Sequence, residues 1–322
     1  MRKRKLGNTD LLVDPLCLGA NVFGWTIDEK RSFEILDAFF ASGFNFVDTA
    51  DVYSRWNSGI GGESETIIGK WMKQIKNRHK MIIATKVGMD MGEGPNISKK
   101  YILKMVDNSL KRLQTDYIDL YQTHMDDDKT PVEETLEAFN ELVKAGKVRW
   151  IGASNLKPER LLASLEASKQ HNFPRYETFQ PLYNIYDREV YEKELEPICR
   201  ANSISTINYY SLAAGFLTGK YRVKEDQNKS VRGSRADRYM NDRGFKVLEI
   251  LDKVAAEYNS TSGKVAIAWL NTKPTIGAPI ASATDIAQLK DLIDASRMQL
   301  TEDTIKLLDA ETEWRDQTTL QL

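Results

Sequence analysis

The sequence has few of the residues that build metal centres and disulfide frameworks. Its 322 residues include only two cysteines and three histidines. Cys17 and Cys199 lie far apart in apolar surroundings, with no C-x-x-C or Cys/His cluster, so both are predicted to be buried free thiols. The sequence therefore predicts no metal site, and its chemistry has to come from other side chains.

An excess of either charge is also missing. The chain has 45 Lys and Arg against 46 Asp and Glu, a formal net charge of -1. This balance argues against nucleic acid as a partner, and no feature calls for an obligate protein partner. No run approaches about 18 apolar residues, and Asp14 and Pro15 interrupt the N-terminal apolar stretch. We therefore expect no membrane association and a cytoplasmic location.

Short apolar runs alternate with longer segments of helical periodicity. The eight predicted strands are 16–18, 44–47, 81–85, 117–121, 148–151, 178–180, 206–209 and 276–280. The eight predicted helices are 29–42, 63–75, 98–113, 132–145, 158–171, 189–202, 243–258 and 286–295. This alternation predicts a parallel sheet, and eight units favour closure into a (β/α)8 TIM barrel, a single α/β domain spanning 1–322.

An open doubly wound sheet is the alternative topology. The region after its first strand would read LCLGANVFGW, which lacks the G-x-G-x-x-G of dinucleotide-binding folds, and no G-x-x-x-x-G-K-[ST] loop occurs. Three features decorate the barrel pattern. Segments 3–6 and 11–14 predict a β-hairpin that caps the barrel floor. The long loop 213–242 is a candidate cofactor strap, and 301–314 predicts a further helix.

Polar side chains follow seven of the eight predicted strands. Because the active site of such a barrel forms at the carboxyl ends of its strands, these residues are expected on one rim. They are Asp48, Lys86, His124, Ser154, Asn155, Gln180, Tyr209 and Ser282, with Tyr53 in the loop after the second strand. Each alone could be a turn, a helix cap or a surface residue. Together, however, a carboxylate, a phenol, an ammonium and an imidazole can form the proton-donating device that carbonyl reduction requires.

These residues lie in motifs that resemble the aldo-keto reductase superfamily. The motifs are FVDTADVY followed by GGESETIIGKW, then ATKVG, DLYQTH, WIGASN, FQPLYN and YYSLAAGFLTGKY. The resemblance extends from about residue 6 to residue 300. It implies an NAD(P)H-dependent reduction of aldehydes or ketones, without metal.

The resemblance also implies catalytic roles. Tyr53 would be the general acid that protonates the carbonyl oxygen. Because a free phenol titrates near ~10, it needs help near neutrality. Lys86, paired with Asp48, is expected to lower the pKa of this phenol, and His124 to orient and polarise the carbonyl.

The same resemblance implies cofactor contacts along the later strand ends. Ser154, Asn155 and Gln180 would meet the nicotinamide carboxamide, with Tyr209 stacked on its ring. The residues expected along the pyrophosphate are Ser211, Leu212, Gly215, Leu217, Gly219 and Lys220. Ser282, Thr284 and Gln288 would meet the adenosine end.

Asp285 departs from the family pattern. It stands where a basic residue commonly binds the 2′-phosphate of NADP, and an aspartate there would repel that phosphate. NADP(H) remains the expected cofactor, and NAD(H) stays open.

Four loop residues, Val22, Trp25, Trp56 and Met125, are candidate substrate contacts. Trp25 and Trp56 could equally cap the core. An aromatic pocket would favour apolar or aromatic aldehydes. Two other functions stay open: a regulatory or redox-sensing protein on the same cofactor-binding barrel, and an unrelated barrel isomerase or hydrolase. Paired catalytic carboxylates and metal ligands, which the last of these needs, are missing.

Overall fold

The computed structural model describes residues 3–314. Its central element is a sheet of eight parallel strands, whose carboxyl ends carry the predicted site residues. The ten strands in chain order are β1 Arg4–Lys5, β2 Leu12–Val13, β3 Cys17–Gly19, β4 Phe46–Asp48, β5 Ile82–Val87, β6 Ile118–Thr123, β7 Val148–Ser154, β8 Tyr176–Gln180, β9 Ser205–Thr206 and β10 Ile280–Ala281. In the large sheet β3 to β9 are neighbours in chain order, and β10 lies beside β3.

The sheet closes through the segment that leads into β10. Thr206 of β9 forms a parallel bridge with Ile276. The Gly277 amide donates to the Thr206 carbonyl at 2.8 Å, and the Ile280 amide donates to the Asn208 carbonyl at 3.0 Å. Because β10 also pairs with β3, the strands complete a ring, and the (β/α)8 barrel prediction is confirmed.

The N-terminal hairpin covers the amino end of the barrel. β1 and β2 pair antiparallel, and Leu6 and Leu11 are buried in one apolar cluster with strand residues such as Phe46. The Gly7 amide donates to Ser205 Oγ and the Asn8 amide donates to Glu177 Oε2, each at 2.8 Å. These contacts reach the starts of β9 and β8, so the predicted floor cap is confirmed.

Helices form the layer outside the strands. They are α1 Glu29–Ala41, α2 Arg55–Ser58, α3 Glu63–Ile75, α4 Lys99–Leu113, α5 Val132–Lys144, α6 Pro158–His171, α7 Glu196–Ala201, α8 Asp242–Glu257, α9 Ser262–Leu270, α10 Ile286–Arg297 and α11 Glu302–Glu311. Their buried residues recur at helical spacing, as Leu136 and Phe139 do in α5, and they pack into the main core between helices and strands.

Three segments differ from the sequence predictions. Helix α9 was not predicted, because eight of its nine residues are buried and it has no polar face to produce a helical stripe. The predicted helix 189–202 contains a wide π turn at Tyr191–Leu195 before α7, where Pro197 lacks an amide hydrogen to donate. The predicted loop 213–242 contains the 3-10 turns Lys224–Lys229 and Gly233–Tyr239, and a third, Ala213–Thr218, that is kinked at Ala214 and Gly215.

Two findings concern the predictions on thiols and membranes. Cys17 and Cys199 are both free and buried, as predicted. Within residues 3–314, every helix is too short or too polar to cross a membrane.

A buried acidic pair lies where β4 leads towards α3. Glu65 is fully buried and is neutralised by Arg112, whose Nε lies 2.6 Å from Glu65 Oε2. Asp51 is also fully buried, but both of its carboxylate oxygens lack a hydrogen-bond partner among the described residues. Burial, followed by the negative charge of Glu65, raises the pKa of Asp51 to about 8. Asp51 therefore stays protonated in the folded protein at neutral pH.

This shift predicts a pH-dependent stability. Between about pH 4, where an unfolded aspartate ionises, and about pH 8, the folded state binds the extra proton on Asp51, so the contribution of Asp51 to the free energy of unfolding falls as the pH rises. Asp51→Asn cannot ionise in either state. It should flatten this dependence and raise the free energy of unfolding at pH 8 by on the order of 2 kcal/mol.

Urea denaturation at pH 5 and pH 8 measures the effect. The exposed Asp116 provides the control variant Asp116→Asn, which should keep the wild-type pH dependence. Equal pH dependence in wild type and Asp51→Asn would contradict the assignment.

Candidate active site

The parallel register brings four predicted catalytic residues to one end of the barrel. Asp48 is the last residue of β4, and Lys86 is the fifth of six residues in β5. His124 follows β6, and Tyr53 lies in the turn between β4 and α2. Because Asp48 is paired with Ala84 and Lys86 with Gln122, the carboxyl ends of these strands lie side by side.

The ammonium of Lys86 is the centre of this group. Its side chain is fully buried, and Nζ donates to Asp48 Oδ2 at 2.7 Å, to the Thr49 carbonyl at 2.8 Å and to the Tyr53 hydroxyl at 2.9 Å. These bonds use all three hydrogens of the ammonium. Burial acts to lower the pKa of Lys86, but Asp48 and Tyr53 outweigh it, so the pKa is raised and the lysine stays charged.

The carboxylate of Asp48 is held on both oxygens. Besides Lys86 on Oδ2, Oδ1 accepts hydrogen bonds from Gln180 Nε2 at 2.9 Å and from Gln122 Nε2 at 3.4 Å. Donors from β5, β6 and β8 therefore converge on one buried carboxylate. Gln122 was not singled out in the sequence, although it stands beside Lys86 in the strand register.

The pKa of Tyr53 depends on two opposing effects, burial and the charge of Lys86. Burial raises this pKa to about 12, since it outweighs the positive charge of Lys86, and Asp48 acts in the same direction as burial. The charge of Lys86 does lower this pKa, as expected, but burial outweighs it, so the net shift is upward. The phenol keeps its proton throughout the neutral range.

His124 is a neutral imidazole next to this phenol. Burial, reinforced by the positive charge of Lys86, holds its pKa well below the usual range. Its ring centroid lies 6.0 Å from that of Tyr53, and its Nδ1 is buried without a hydrogen-bond partner among the described residues. A neutral histidine can donate one hydrogen bond without adding a charge.

The residues predicted for the nicotinamide form a hydrogen-bonded chain. Ser154 Oγ donates to the Gln180 carbonyl at 2.8 Å, Asn155 Nδ2 donates to Ser154 Oγ at 3.0 Å, and the Tyr209 hydroxyl donates to Asn155 Oδ1 at 3.0 Å. Asn155 Nδ2 also donates to the His124 carbonyl at 3.0 Å. The structure thus brings these four residues together and joins them to the four predicted catalytic residues.

The segment 211–220 has a backbone suited to a phosphate group. Ala214 and Gly215 have positive φ values of 56° and 91°, and Gly219 has a φ of 78°. A Cβ on Gly215 would lie 3.0 Å from Cε of Lys220, so the glycine lets this lysine approach the loop. Lys220 is exposed, and no carboxylate among the described residues pairs with it. Left-handed backbone and an unpaired ammonium fit a diphosphate.

The other residues of this segment differ in accessibility. Ser211 is buried, and its hydroxyl accepts a hydrogen bond from Asn208 Nδ2 at 3.0 Å. Leu217 is fully buried in the core and Leu212 is half-buried. Leu217 could therefore meet a cofactor only through its backbone.

The residues predicted for the adenosine end are joined by hydrogen bonds at the start of α10. Asp285 is the N-cap, because its Oδ1 accepts from the Gln288 amide at 2.8 Å, while its Oδ2 accepts from Gln288 Nε2 at 2.6 Å. Gln288 Oε1 in turn accepts from the Thr284 amide at 3.0 Å. Ser282 Oγ donates to Asn21 Oδ1 at 2.6 Å. This bond to Asn21 has no counterpart in the sequence analysis, since it depends on loop conformation.

Comparison with known proteins places this arrangement in a family. Residues 15–313 match the profile of the Aldo/keto reductase family. The chain belongs to this family. It is 35% identical over 312 residues, 94% of each chain, to "Uncharacterized oxidoreductase YrpG" of Bacillus subtilis (strain 168). It is 36% identical over 271 residues to "Aldo-keto reductase YhdN" of the same organism, covering 82% of this chain and 77% of the relative.

A third relative has a different description. The chain is 30% identical over 305 residues to "Probable voltage-gated potassium channel subunit beta" of Arabidopsis thaliana, covering 92% of this chain and 91% of the relative. The protein is an aldo-keto reductase family oxidoreductase, and that family generally uses nicotinamide cofactors.

The aldo-keto reductase has an aromatic wall beside Tyr53. Trp25 and Trp56 meet edge to face with ring centroids 5.2 Å apart, and the Trp56 centroid lies 6.1 Å from that of Tyr53. Trp56 is 45% exposed, so it lines the surface of the rim and does not cap the core. Met125 is half-buried next to His124. Val22, in contrast, is fully buried in the main core.

The charge pair at the centre of the aldo-keto reductase site predicts a stability effect that is independent of catalysis. Lys86→Met leaves Asp48 buried without its counter-ion, so it should lower the free energy of unfolding by about 3 kcal/mol. The double variant Asp48→Asn/Lys86→Met should cost at least about 1 kcal/mol less than the sum of the two single variants. Urea denaturation of the four proteins measures this coupling.

The exposed Lys80, just before β5, provides the matched control. Lys80→Met should leave the unfolding midpoint nearly unchanged. Simple additivity of the two site variants would show that Asp48 and Lys86 do not depend on each other.

Proposed function

We propose that the protein reduces aldehydes or ketones to alcohols with NAD(P)H, and that Tyr53 is the general acid. The observation that carries this proposal is the pair of bonds from Lys86 to Asp48 and to the Tyr53 hydroxyl, at 2.7 and 2.9 Å. A protonated phenol beside a permanently charged ammonium can give up its proton as negative charge develops on a carbonyl oxygen.

The residues divide the work as follows. The nicotinamide, when bound, supplies the hydride that reaches the carbonyl carbon. Tyr53 gives its hydroxyl proton to the carbonyl oxygen, so one hydride and one proton convert the C=O group to an alcohol. Lys86 stabilises the phenolate that remains, and Asp48 keeps Lys86 charged. Neutral His124 donates a hydrogen bond to the carbonyl oxygen and orients it.

The raised pKa of Tyr53 fits this division of labour. A phenol with a pKa of about 12 does not lose its proton to bulk water near neutral pH, and the site is ready whenever a substrate binds. The Lys86 charge stabilises the phenolate that the reaction creates. The Lys86 ammonium therefore stabilises Tyr53 more strongly after proton transfer, when the phenol has become a phenolate, than before it.

Cofactor binding is proposed along the later strand ends. Ser154, Asn155, Gln180 and Tyr209 would hold the nicotinamide, and segment 211–220 with Lys220 would hold the diphosphate. The adenosine end would lie near Ser282, Thr284 and Gln288. We propose NADP(H) as the preferred cofactor, although the capping carboxylate of Asp285 adds negative charge at this end.

A second function is favoured by one relative. The Arabidopsis thaliana relative is described as a probable voltage-gated potassium channel subunit beta, which favours a regulatory, redox-sensing role on the same barrel. The same four residues, Asp48, Tyr53, Lys86 and His124, would serve both functions.

The number of turnovers distinguishes the two functions. An enzyme oxidises NADPH repeatedly with a panel of aldehydes, whereas a sensor binds NADPH and oxidises it for few turnovers. Fluorescence titration with NADPH and NADH should precede this assay, because failure to bind either nucleotide would refute both functions.

Replacing the general acid provides the direct test. Tyr53→Phe removes only the hydroxyl, so kcat for an aldehyde should fall at least about 100-fold, while the Kd for NADPH should stay within about twofold of wild type. Stopped-flow and steady-state measurements at 340 nm give kcat, and fluorescence quenching gives Kd. Tyr101→Phe, a tyrosine on α4, is the matched control and should retain wild-type kcat. A wild-type kcat in Tyr53→Phe would refute the acid assignment.

Asp285 provides a test of cofactor preference that preserves the helix cap. Asn is as good an N-cap as Asp, so Asp285→Asn removes the charge without removing the cap of α10. If the 2′-phosphate lies near this residue, the Kd for NADPH should fall about fivefold, roughly 1 kcal/mol, while the Kd for NADH stays unchanged. Asp303→Asn, in the first turn of α11, is the control. An unchanged NADPH to NADH ratio would show that the phosphate binds elsewhere.

A further inference from the structure

Two arginines of segment 213–242 lie above the catalytic rim. Arg232 is the N-cap of the 3-10 turn Gly233–Tyr239, and the Arg235 amide donates to the Arg232 carbonyl at 3.0 Å. In a 3-10 turn the side chains at i and i+3 lie on the same face. The two guanidinium groups therefore face the same region, but their neighbours differ.

Arg232 belongs to the cofactor side of this region. Its charge interacts with Tyr210 and Tyr221, which flank segment 211–220, and also with Tyr53. Its Nε is buried without a hydrogen-bond partner among the described residues. Arg232 also lies close enough to Arg235 for the two positive charges to repel each other, so both contribute positive charge at the rim.

Arg235 lies on the aromatic wall. Its Cζ is 5.1 Å from the ring centroid of Trp25 and 5.9 Å from that of Trp56. Because the Trp56 centroid is a further 6.1 Å from the Tyr53 ring, the guanidinium is at most about 12 Å from that ring. A small substrate with its carbonyl at Tyr53 could thus extend along Trp56 to reach this charge.

The charge of Arg235 is not neutralised within the part of the chain that the structure describes. Other arginines of the same segment are paired: Arg222 lies 2.7 Å from Asp252, and Arg238 lies 2.6 Å from Asp187. Arg235 is exposed and forms no ion pair among residues 3–314. Glu63, which packs against Gly24 near Trp25, does not pair with it either.

We propose that Arg235 makes this site select carbonyl substrates that carry a carboxylate beyond a flat apolar body. The body would lie along Trp25 and Trp56, and the planar guanidinium would receive the carboxylate through two parallel hydrogen bonds. This proposal rests on the proposed reductase function and adds the substrate class. It adds a carboxylate to the expected apolar or aromatic aldehydes, because a cation lies against the aromatic wall.

The test compares two para-substituted benzaldehydes that differ in charge. These are 4-carboxybenzaldehyde and its neutral methyl ester, methyl 4-formylbenzoate, assayed with saturating NADPH. The wild type should have a kcat/KM about tenfold higher for the acid, and the ratio should fall as NaCl is raised. Arg235→Gln should abolish this preference by raising KM for the acid, with kcat and all constants for the ester nearly unchanged. Arg235→Lys should retain part of it.

Arg222→Gln is the matched control, since Arg222 lies on the same segment but is paired with Asp252. It should keep the wild-type ratio. The proposal is overturned if the wild type shows no preference for the acid, or if Arg235→Gln lowers kcat/KM equally for both aldehydes, which would mean that Arg235 only supports the tryptophans. Turnover of neither aldehyde, with NADPH or NADH, would instead overturn the proposed reductase function.

Discussion

The positive charge of Lys86 is buried in the barrel, where water cannot solvate it. The ion pair with Asp48 offsets the cost of this desolvation. Both side chains are essentially buried, at 0% and 2% exposure. Burying an unpaired charge costs several kcal/mol, so the partner and its geometry have to be fixed before the barrel is stable. The remaining two hydrogens of Lys86 are taken by Thr49 and Tyr53, which leaves the ammonium without an unsatisfied donor.

This requirement constrains the strand register. Asp48 lies at the end of β4 and Lys86 lies in β5. The side-chain amides of Gln122 in β6 and Gln180 in β8 donate the remaining hydrogen bonds to the Asp48 carboxylate. A shift of one residue in any of these strands would point the side chain to the opposite face of the sheet. Stability and chemistry are therefore coupled: the arrangement that neutralises Lys86 also holds the Tyr53 hydroxyl 2.9 Å from Nζ.

The sequence predicts the parts of this structure that depend on periodicity and on strand ends. Asp48, Lys86, His124 and Gln180 could be placed on one rim because each ends or follows an apolar run. Helix α9 could not be predicted, since its burial on all sides removes the polar face that marks a helix. The lowering of the Tyr53 pKa by Lys86 could be predicted, but the larger opposing effect of burial could not, because only the structure gives it.

Charge is distributed unevenly along the rim although the whole chain is nearly neutral. At the start of α10, Asp285 is satisfied by Gln288 and by the helix end, so its carboxylate has a structural reason to be there whatever the cofactor. Arg235 has no comparable partner among residues 3–314, because its contacts with the two tryptophan rings satisfy none of its hydrogen bonds. A group whose hydrogen-bonding capacity the fold does not use is the stronger indication of a ligand, so Arg235 indicates a substrate group more strongly than Asp285 indicates a cofactor preference.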